Sequence, residues 1–224
     1  MNYLTKVWLS YKQARDCKKM LHIPSGALPS ETYLKYRKEH TFGGLRVLNI
    51  GCGRCVYPAA NVVNTDIIAN DGVNIVLDLS KVPYALATNS FDVIIANHVL
   101  EHVPNWFECF KELARVLKPG GRLEVWIPPV SSDSAFTYRD HINYIGLNSF
   151  AGCKSFSRAG TNLSAFTEFQ GHGFDYIKQL AVIENSYRPI VKWWTVLAPQ
   201  WLLDFYATHL RNVISEEGFI FTKI

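Results

Sequence analysis

Val47-Leu48-Asn49-Ile50-Gly51-Cys52-Gly53 is the stretch of sequence that decides the fold of this chain. Its apolar, β-prone first half predicts a buried parallel strand, and its Gly-x-Gly ending predicts a tight loop directly after that strand. Because glycine lacks a Cβ atom, the backbone can turn sharply there and a ligand can lie directly against it. At the end of the first strand of an open α/β sheet, such a loop is the usual binding place of a nucleotide-like ligand.

Working outward from this loop, the pattern predicts alternating strands and connections. Strands are expected at residues 45–50, 62–66, 74–77, 93–97 and 123–127, and an amphipathic helix at residues 106–117. Later in the chain we expect a strand at 174–184, a helical region at 189–213 and a final antiparallel edge strand at 217–224. This order predicts an α/β fold with a mostly parallel sheet. The first two connections are too short for ordinary helices, so backbone N–H groups of the glycine loop must contribute more to ligand binding.

Composition is that of one globular unit. The chain has 224 residues, 48% hydrophobic and 19% charged, with a net charge of +4. We expect a helical lid or brace over residues 1–40 and a single domain over residues 41–224. Five irregularly spaced cysteines and the lack of a long apolar run or signal-peptide core favour a cytoplasmic protein without disulfides.

Five segments in the same order and spacing carry a family resemblance: VLNIGCG, VNTDI, IVLDLS, SFDVIIANHVLEHV and LARVLKPGGRLEVWIP. Together they resemble the class I S-adenosylmethionine-dependent methyltransferases, specifically the small methyltransferase-domain type. The resemblance implies a Rossmann-like, mostly parallel seven-stranded sheet with an antiparallel edge strand and helices on both faces. It also implies S-adenosylmethionine as the cofactor.

The resemblance assigns the methionine and ribose side of the cofactor to the first two strands. The loop of residues 51–53 would pass beneath the cofactor, and Asp66 would accept hydrogen bonds from both ribose hydroxyls, since a carboxylate offers two acceptor oxygens to a vicinal diol. Asn49 occupies a position that is usually acidic in the family, so a neutral hydrogen bond near the cofactor's amino group would replace a charge. A strand-end turn acid is the alternative role of Asp66.

The adenine side and the reacting end follow in the same way. The resemblance implies that Ile67 packs on the adenine and that Asp78 and Leu79 bind its amino group and cover its ring. A helix N-cap is the alternative role of Asp78. Asn97 and His98, at the end of the fourth strand, would lie where cofactor and acceptor meet.

The predicted reaction is direct displacement, in which a nucleophile attacks the cofactor's methyl group. The protein would mainly align the reactants, and a base is needed only for an acceptor that holds its proton firmly. His98 and His141 are the candidates, each with a hydrogen-bonded structural role as the alternative. Segment 138–144 resembles the family's acceptor-side region, and its polar side chains fit a hydroxyl-rich or anionic acceptor. We expect a small-molecule or glycan-type acceptor, since no basic stripe or nucleic-acid module is evident.

Other interpretations of the same residues are weaker. A nicotinamide-dependent dehydrogenase would need a third glycine where Val56 stands. His-x-x-Glu-His at residues 98–102 matches a zinc-peptidase pattern, but it straddles a strand end, so we expect no metal site from it. Cys52-x-x-Cys55 is interpreted as small packing residues. The aromatic segment 187–206 favours a core helix over membrane contact. A non-catalytic cofactor-binding module or partner subunit stays open as a different class of function.

Overall fold

The computed structural model describes residues 42–150, 153, 173–183 and 214–224. The predicted helical segments 1–40 and 189–213 lie outside these residues. The described strands are β1 Val47–Ile50, β2 Val62–Asp66, β3 Ile75–Val76, β4 Phe91–Asn97, β5 Leu117–Ile127, β6 Phe174–Ile183 and β7 Ile214–Lys223. The helices are α1 Trp106–Val116 and the single turn α2 Ser134–Thr137, with short 3₁₀ helices at Phe42–Gly44, Leu100–His102 and Leu147–Phe150.

The seven strands form one sheet in the order β3-β2-β1-β4-β5-β7-β6. Strands β1 to β5 are parallel, whereas β7 runs antiparallel to both of its neighbours, β5 and β6. The predicted Rossmann-like α/β fold is therefore confirmed. The last strand is antiparallel as predicted, but it lies inside β6, which occupies the edge.

Side chains of β1 alternate between two cores. Leu48 and Ile50 join the larger core, which contains the apolar face of α1 and residues of β4, β5 and β7. Val47 faces the opposite side of the sheet, in a smaller cluster with Trp126 and Tyr57. All four β1 residues are buried, as expected for a central parallel strand covered on both faces.

Helix α1 ends one residue before its predicted end, and β5 begins at Leu117, earlier than predicted. Leu117 already pairs with Phe91, and the register then shifts, so that Arg122 pairs with Val93. The sequence Pro119-Gly120-Gly121 is typical of a turn, but in the structure it lies within β5, where the shift in register accommodates it.

The short connections behave as predicted. Within the described residues, no helix follows the glycine loop, and hydrogen-bonded turns connect β1 to β2 and β2 to β3. In the same part of the chain, none of the helices has the length and apolar character needed to cross a bilayer.

Candidate functional site

The glycine loop is closed on one side and open on the other. Gly51 and Gly53 have φ angles of 54° and 49°, in the left-handed region that favours glycine. A Cβ atom at Gly51 would collide with the Val99 side chain, lying 2.8 Å from its Cβ atom. At Gly53 an added Cβ atom would meet nothing within 4 Å. The loop is thus packed tightly against the end of β4, while the backbone at Gly53 has free space for a ligand.

Asp66 lies beside this open backbone. Its Oδ2 atom accepts a hydrogen bond from the Gly53 N–H at 2.7 Å, and its Oδ1 atom accepts one from the Ile68 N–H at 3.0 Å. The next side chain, Ile67, is 62% exposed and presents apolar surface at the same strand end. The carboxylate therefore performs the turn role and also lies next to the glycine loop, while its binding of the ribose hydroxyls stays a prediction.

The Asn49 side chain ties the glycine loop to the neighbouring strand β2. It is buried, and its Nδ2 atom donates hydrogen bonds to the Cys55 carbonyl at 2.9 Å and to Asn64 Oδ1 at 3.0 Å. Asn64 continues the network by donating to the Tyr57 carbonyl at 2.7 Å and accepting from the Tyr57 N–H at 3.0 Å. Both amide hydrogens of Asn49 therefore bind protein acceptors, and a contact between its Oδ1 atom and the cofactor's amino group stays a prediction.

Asp78 serves the turn in which it lies. Its Oδ1 atom accepts hydrogen bonds from the N–H and hydroxyl of Ser80, at 3.0 and 2.6 Å, and Lys81 lies 3.1 Å from Oδ2. The Ser80 hydrogen bonds, with help from Lys81, lower the pKa of the Asp78 carboxyl. Leu79 is buried in the larger core, and its carbonyl accepts a hydrogen bond from the Tyr84 hydroxyl at 2.9 Å. The packing of Leu79 against an adenine ring stays a prediction.

The Cys-x-x-Cys pair is not a disulfide. Both Cys52 and Cys55 carry free thiols. Burial, with the nearby Asp66 and Cys55 adding to the effect, raises the pKa of Cys52 to about 11. Cys52 is therefore a protonated packing residue at neutral pH, as the sequence interpretation holds.

The end of β4 brings two polar groups to the same edge of the sheet as the glycine loop. His98 has a φ of 51°, its N–H donates to the Trp126 carbonyl at 2.9 Å, and its Nδ1 atom lies 3.3 Å from Glu101 Oε1. Within the described residues, Oδ1 of the neighbouring Asn97 is buried and accepts no hydrogen bond. Asn97 and His98 thus keep the positions that the resemblance predicts, at the carboxyl end of β4.

His141 reaches this edge through a segment far away in sequence. The N–H groups of Ile142 and Asn143 donate to the Glu101 carbonyl at 2.9 and 3.0 Å. The Asn143 side chain donates to the carbonyls of Leu100 and Val103, at 3.1 and 2.6 Å. These four bonds dock the segment onto the 3₁₀ helix after β4.

The docked segment places His141 against His102, with ring centroids 4.8 Å apart in an edge-to-face arrangement. Glu101, which is 1% exposed, completes the group. Sequence analysis selected His141 and His98 as site residues, interpreted Glu101 and His102 as structural, and assigned no role to Asn143. The His-x-x-Glu-His pattern pointed to Glu101 and His102 as possible site residues. Their proximity to His141 is a tertiary contact, which that pattern does not predict.

Exposed aromatic rings border the histidines. Phe136 and Tyr144 stack at 4.7 Å and are 50% and 55% exposed, and Tyr138 lies 5.1 Å from His141. This surface offers flat apolar faces next to groups that can exchange protons.

Comparison with known proteins finds similarity to methyltransferases. The family model described as "Methyltransferase domain" matches residues 48–125. Sterol 4-C-methyltransferase strm-1 of Caenorhabditis elegans is 33% identical over 79 residues, which cover 33% of this chain and 23% of that protein. The chain therefore aligns with less than a quarter of the length of that curated relative.

Among solved structures, a SAM dependent methyltransferase from Archaeoglobus fulgidus matches with a TM-score of 0.51 at 13% identity, covering 86% of this chain and 90% of that one. At this identity the similarity concerns the fold alone. The match to the family model shows a methyltransferase domain over residues 48–125, and the sheet order and the glycine loop agree with the class I S-adenosylmethionine-dependent methyltransferase fold.

Proposed function

We propose that this protein transfers a methyl group from S-adenosylmethionine, by direct displacement, to a small-molecule or glycan-type acceptor. The observation that carries the proposal is the pairing of Asp66 with the Gly53 N–H at 2.7 Å, at the carboxyl ends of two neighbouring parallel strands. Crevices outside the carboxyl ends of strands are where open α/β sheets bind their ligands.

The residues at this edge fit the cofactor. Open space over Gly53 admits a ligand against the backbone, the Asp66 carboxylate can accept hydrogen bonds from a vicinal diol, and exposed Ile67 offers apolar surface to a ring. When bound, S-adenosylmethionine supplies a methyl group that is already activated by its positively charged sulfur. The protein's contribution is to hold the partners in line and to exclude water.

His98 and His141 are the proposed acid–base groups. The Glu101 carboxylate beside Nδ1 of His98 favours a proton on that nitrogen, which leaves Nε2 to accept one. His141 has the same arrangement, because its Nδ1 atom lies 3.2 Å from the Ala135 carbonyl and must donate to it. Nε2 of His141 can therefore remove a proton from an acceptor hydroxyl, whereas Nε2 of His98 is buried and could do so only after the side chains around it move.

The aromatic surface favours an acceptor with a ring face. Phe136 and Tyr144 stack on each other and remain half exposed, and Tyr138 lies close to His141. Rings of this kind pack against the apolar face of a sugar or another cyclic molecule, and polar groups nearby orient its hydroxyls.

Calorimetric titration with S-adenosylmethionine tests the cofactor site. In Asp66→Asn we expect affinity to fall about 10- to 100-fold, because a charge-assisted hydrogen bond is worth roughly 1.5–3 kcal/mol. Asp71→Asn is the matched control, since Asp71 is exposed and lies a few residues further along the chain. Equal affinities for the wild type and Asp66→Asn would refute the assignment.

Transfer of a labelled methyl group to a panel of cyclic alcohols and glycans tests the reaction. We expect His98→Ala and His141→Ala to lower kcat while leaving cofactor affinity unchanged. Full turnover in both variants would exclude them as bases, and the lack of transfer by a wild type that binds the cofactor tightly would favour a binding module.

A further inference from the structure

Three potential metal ligands converge beside the proposed acceptor surface. Glu101, His102 and His141 each offer one ligand atom, and these atoms lie within 4.8 Å of one another. The two histidines come from different segments, the 3₁₀ helix after β4 and the segment that Asn143 anchors to it.

Both imidazoles are held in the tautomer that metal binding needs. Nδ1 of His102 lies 2.9 Å from the Asp140 carbonyl and 3.4 Å from its carboxylate, and Nδ1 of His141 lies 3.2 Å from the Ala135 carbonyl. A nitrogen beside a carbonyl oxygen must donate its hydrogen, so the lone pair is on Nε2 in each ring. This is the outer-shell pattern that orients histidine ligands in known metal sites.

Glu101 supplies an independent observation. Its side chain is 1% exposed, and neither carboxylate oxygen accepts a hydrogen bond in the part of the chain that the structure describes. In those residues Nδ1 of His98 lies 3.3 Å from Oε1, in a geometry that does not make a hydrogen bond. A buried carboxylate with so few hydrogen bonds is costly unless a cation neutralises it.

We propose that Glu101, His102 and His141 bind a divalent transition-metal ion of the zinc class. Two imidazoles and one carboxylate form a common ligand set for zinc sites that retain an open position. With metal–ligand bonds of about 2.0–2.2 Å, the ligand atoms would need to approach by about 1 Å. His102 and His141 are partly exposed, so the site is reachable from solvent.

This arrangement differs from the zinc-peptidase pattern considered from the sequence, in which His98 and His102 would be paired ligands. Here His98 contacts the carboxylate of Glu101 and orients it. A role for the ion in binding and polarising an acceptor oxygen rests on the proposed function, and with the ion bound Nε2 of His141 would be a ligand and would not act as the base. Binding of the ion itself does not.

The test uses the full-length protein after treatment with chelator. Zinc and cobalt(II) are titrated separately, with calorimetry for affinity and visible absorption for the cobalt ligands. We expect one equivalent to bind, and a cobalt spectrum without an intense thiolate-to-metal band. Glu101→Gln, His102→Asn and His141→Asn should each weaken zinc binding at least about tenfold. Glu108→Gln, an exposed glutamate on α1, should bind like the wild type.

Three results would overturn the proposal: no binding by the wild type, unchanged affinity in His102→Asn and His141→Asn, or an intense thiolate band that places the metal at a cysteine. If Glu101→Gln does not fold, the two histidine variants still decide, because both positions are partly exposed. Cofactor titration of the same variants separates the two proposals: S-adenosylmethionine should bind equally well to His102→Asn, whereas zinc should not.

Discussion

Replacing Asn49 by aspartate, the kind of residue usual at this position in the family, should destabilise this protein. The Nδ2 atom of Asn49 donates to two acceptors, the Cys55 carbonyl and Asn64 Oδ1. A carboxylate would face both acceptors without a hydrogen to offer. Asn64 cannot rotate its amide to compensate, because the rotation would break its two hydrogen bonds to the Tyr57 backbone.

The size of the effect follows from these contacts. Two lost hydrogen bonds cost about 2 kcal/mol together, and a buried carboxylate beside unpaired acceptors adds about 1–3 kcal/mol. We therefore expect Asn49→Asp to lower the free energy of unfolding by about 3–5 kcal/mol at neutral pH. Burial raises the pKa of the introduced carboxyl above its unfolded value, so the loss is smaller at low pH and grows as pH rises through the raised pKa.

Urea denaturation followed by circular dichroism, at several pH values, measures this loss. Asn61→Asp is the matched control, because the Asn61 side chain donates to the Leu45 carbonyl at a more exposed site and should cost less than about 1 kcal/mol. If Asn49→Asp is as stable as the wild type at neutral pH, the structural role of the amide is refuted. Tighter cofactor binding in that variant would support the ligand-facing role.

Four further substitutions test the packing at the glycine loop, at β7 and at α1. Gly51→Ala should lower the free energy of unfolding, measured by thermal denaturation, by more than about 3 kcal/mol, because backbone strain and a collision with Val99 add together. Gly53→Ala should lower it only by the backbone strain of about 1–2 kcal/mol, but it should also weaken cofactor binding. Gly218→Ala should cost about 1–3 kcal/mol, because its Cβ atom would lie 2.8 Å from an indole ring, and a stability equal to the wild type would contradict this packing. Burial raises the pKa of Glu112, but hydrogen bonds from Arg115 and a backbone N–H outweigh it and lower the pKa overall. The free energy of unfolding that this pair contributes is present above the unfolded pKa of Glu112 and is lost as pH falls through its folded pKa. Arg115→Ala should therefore lower the free energy of unfolding by about 2 kcal/mol near neutral pH and by less in acid. Denaturation at pH 7 and pH 3 measures the difference.

The bounds of strands and helices that show a regular apolar pattern in the sequence could be predicted to within a residue or two. The predicted bounds of β2 match those observed, and α1 ends one residue before its predicted end. The bounds of β5 could not be predicted in this way. Leu117 belongs to the strand because Phe91 lies beside it in the sheet, and no local pattern records that pairing.

The sequence by itself determined the parallel sheet, the glycine loop and the placement of Asp66, because alternating apolar strands and glycines act through local backbone geometry. Tertiary structure alone decided the role of Asn49, since the β1–β2 register places Asn64 opposite it. It also decided the meeting of Glu101 with His141, because Asn143 joins segments 40 residues apart. Such contacts depend on which strand ends lie side by side, and that follows from the packing of the whole sheet.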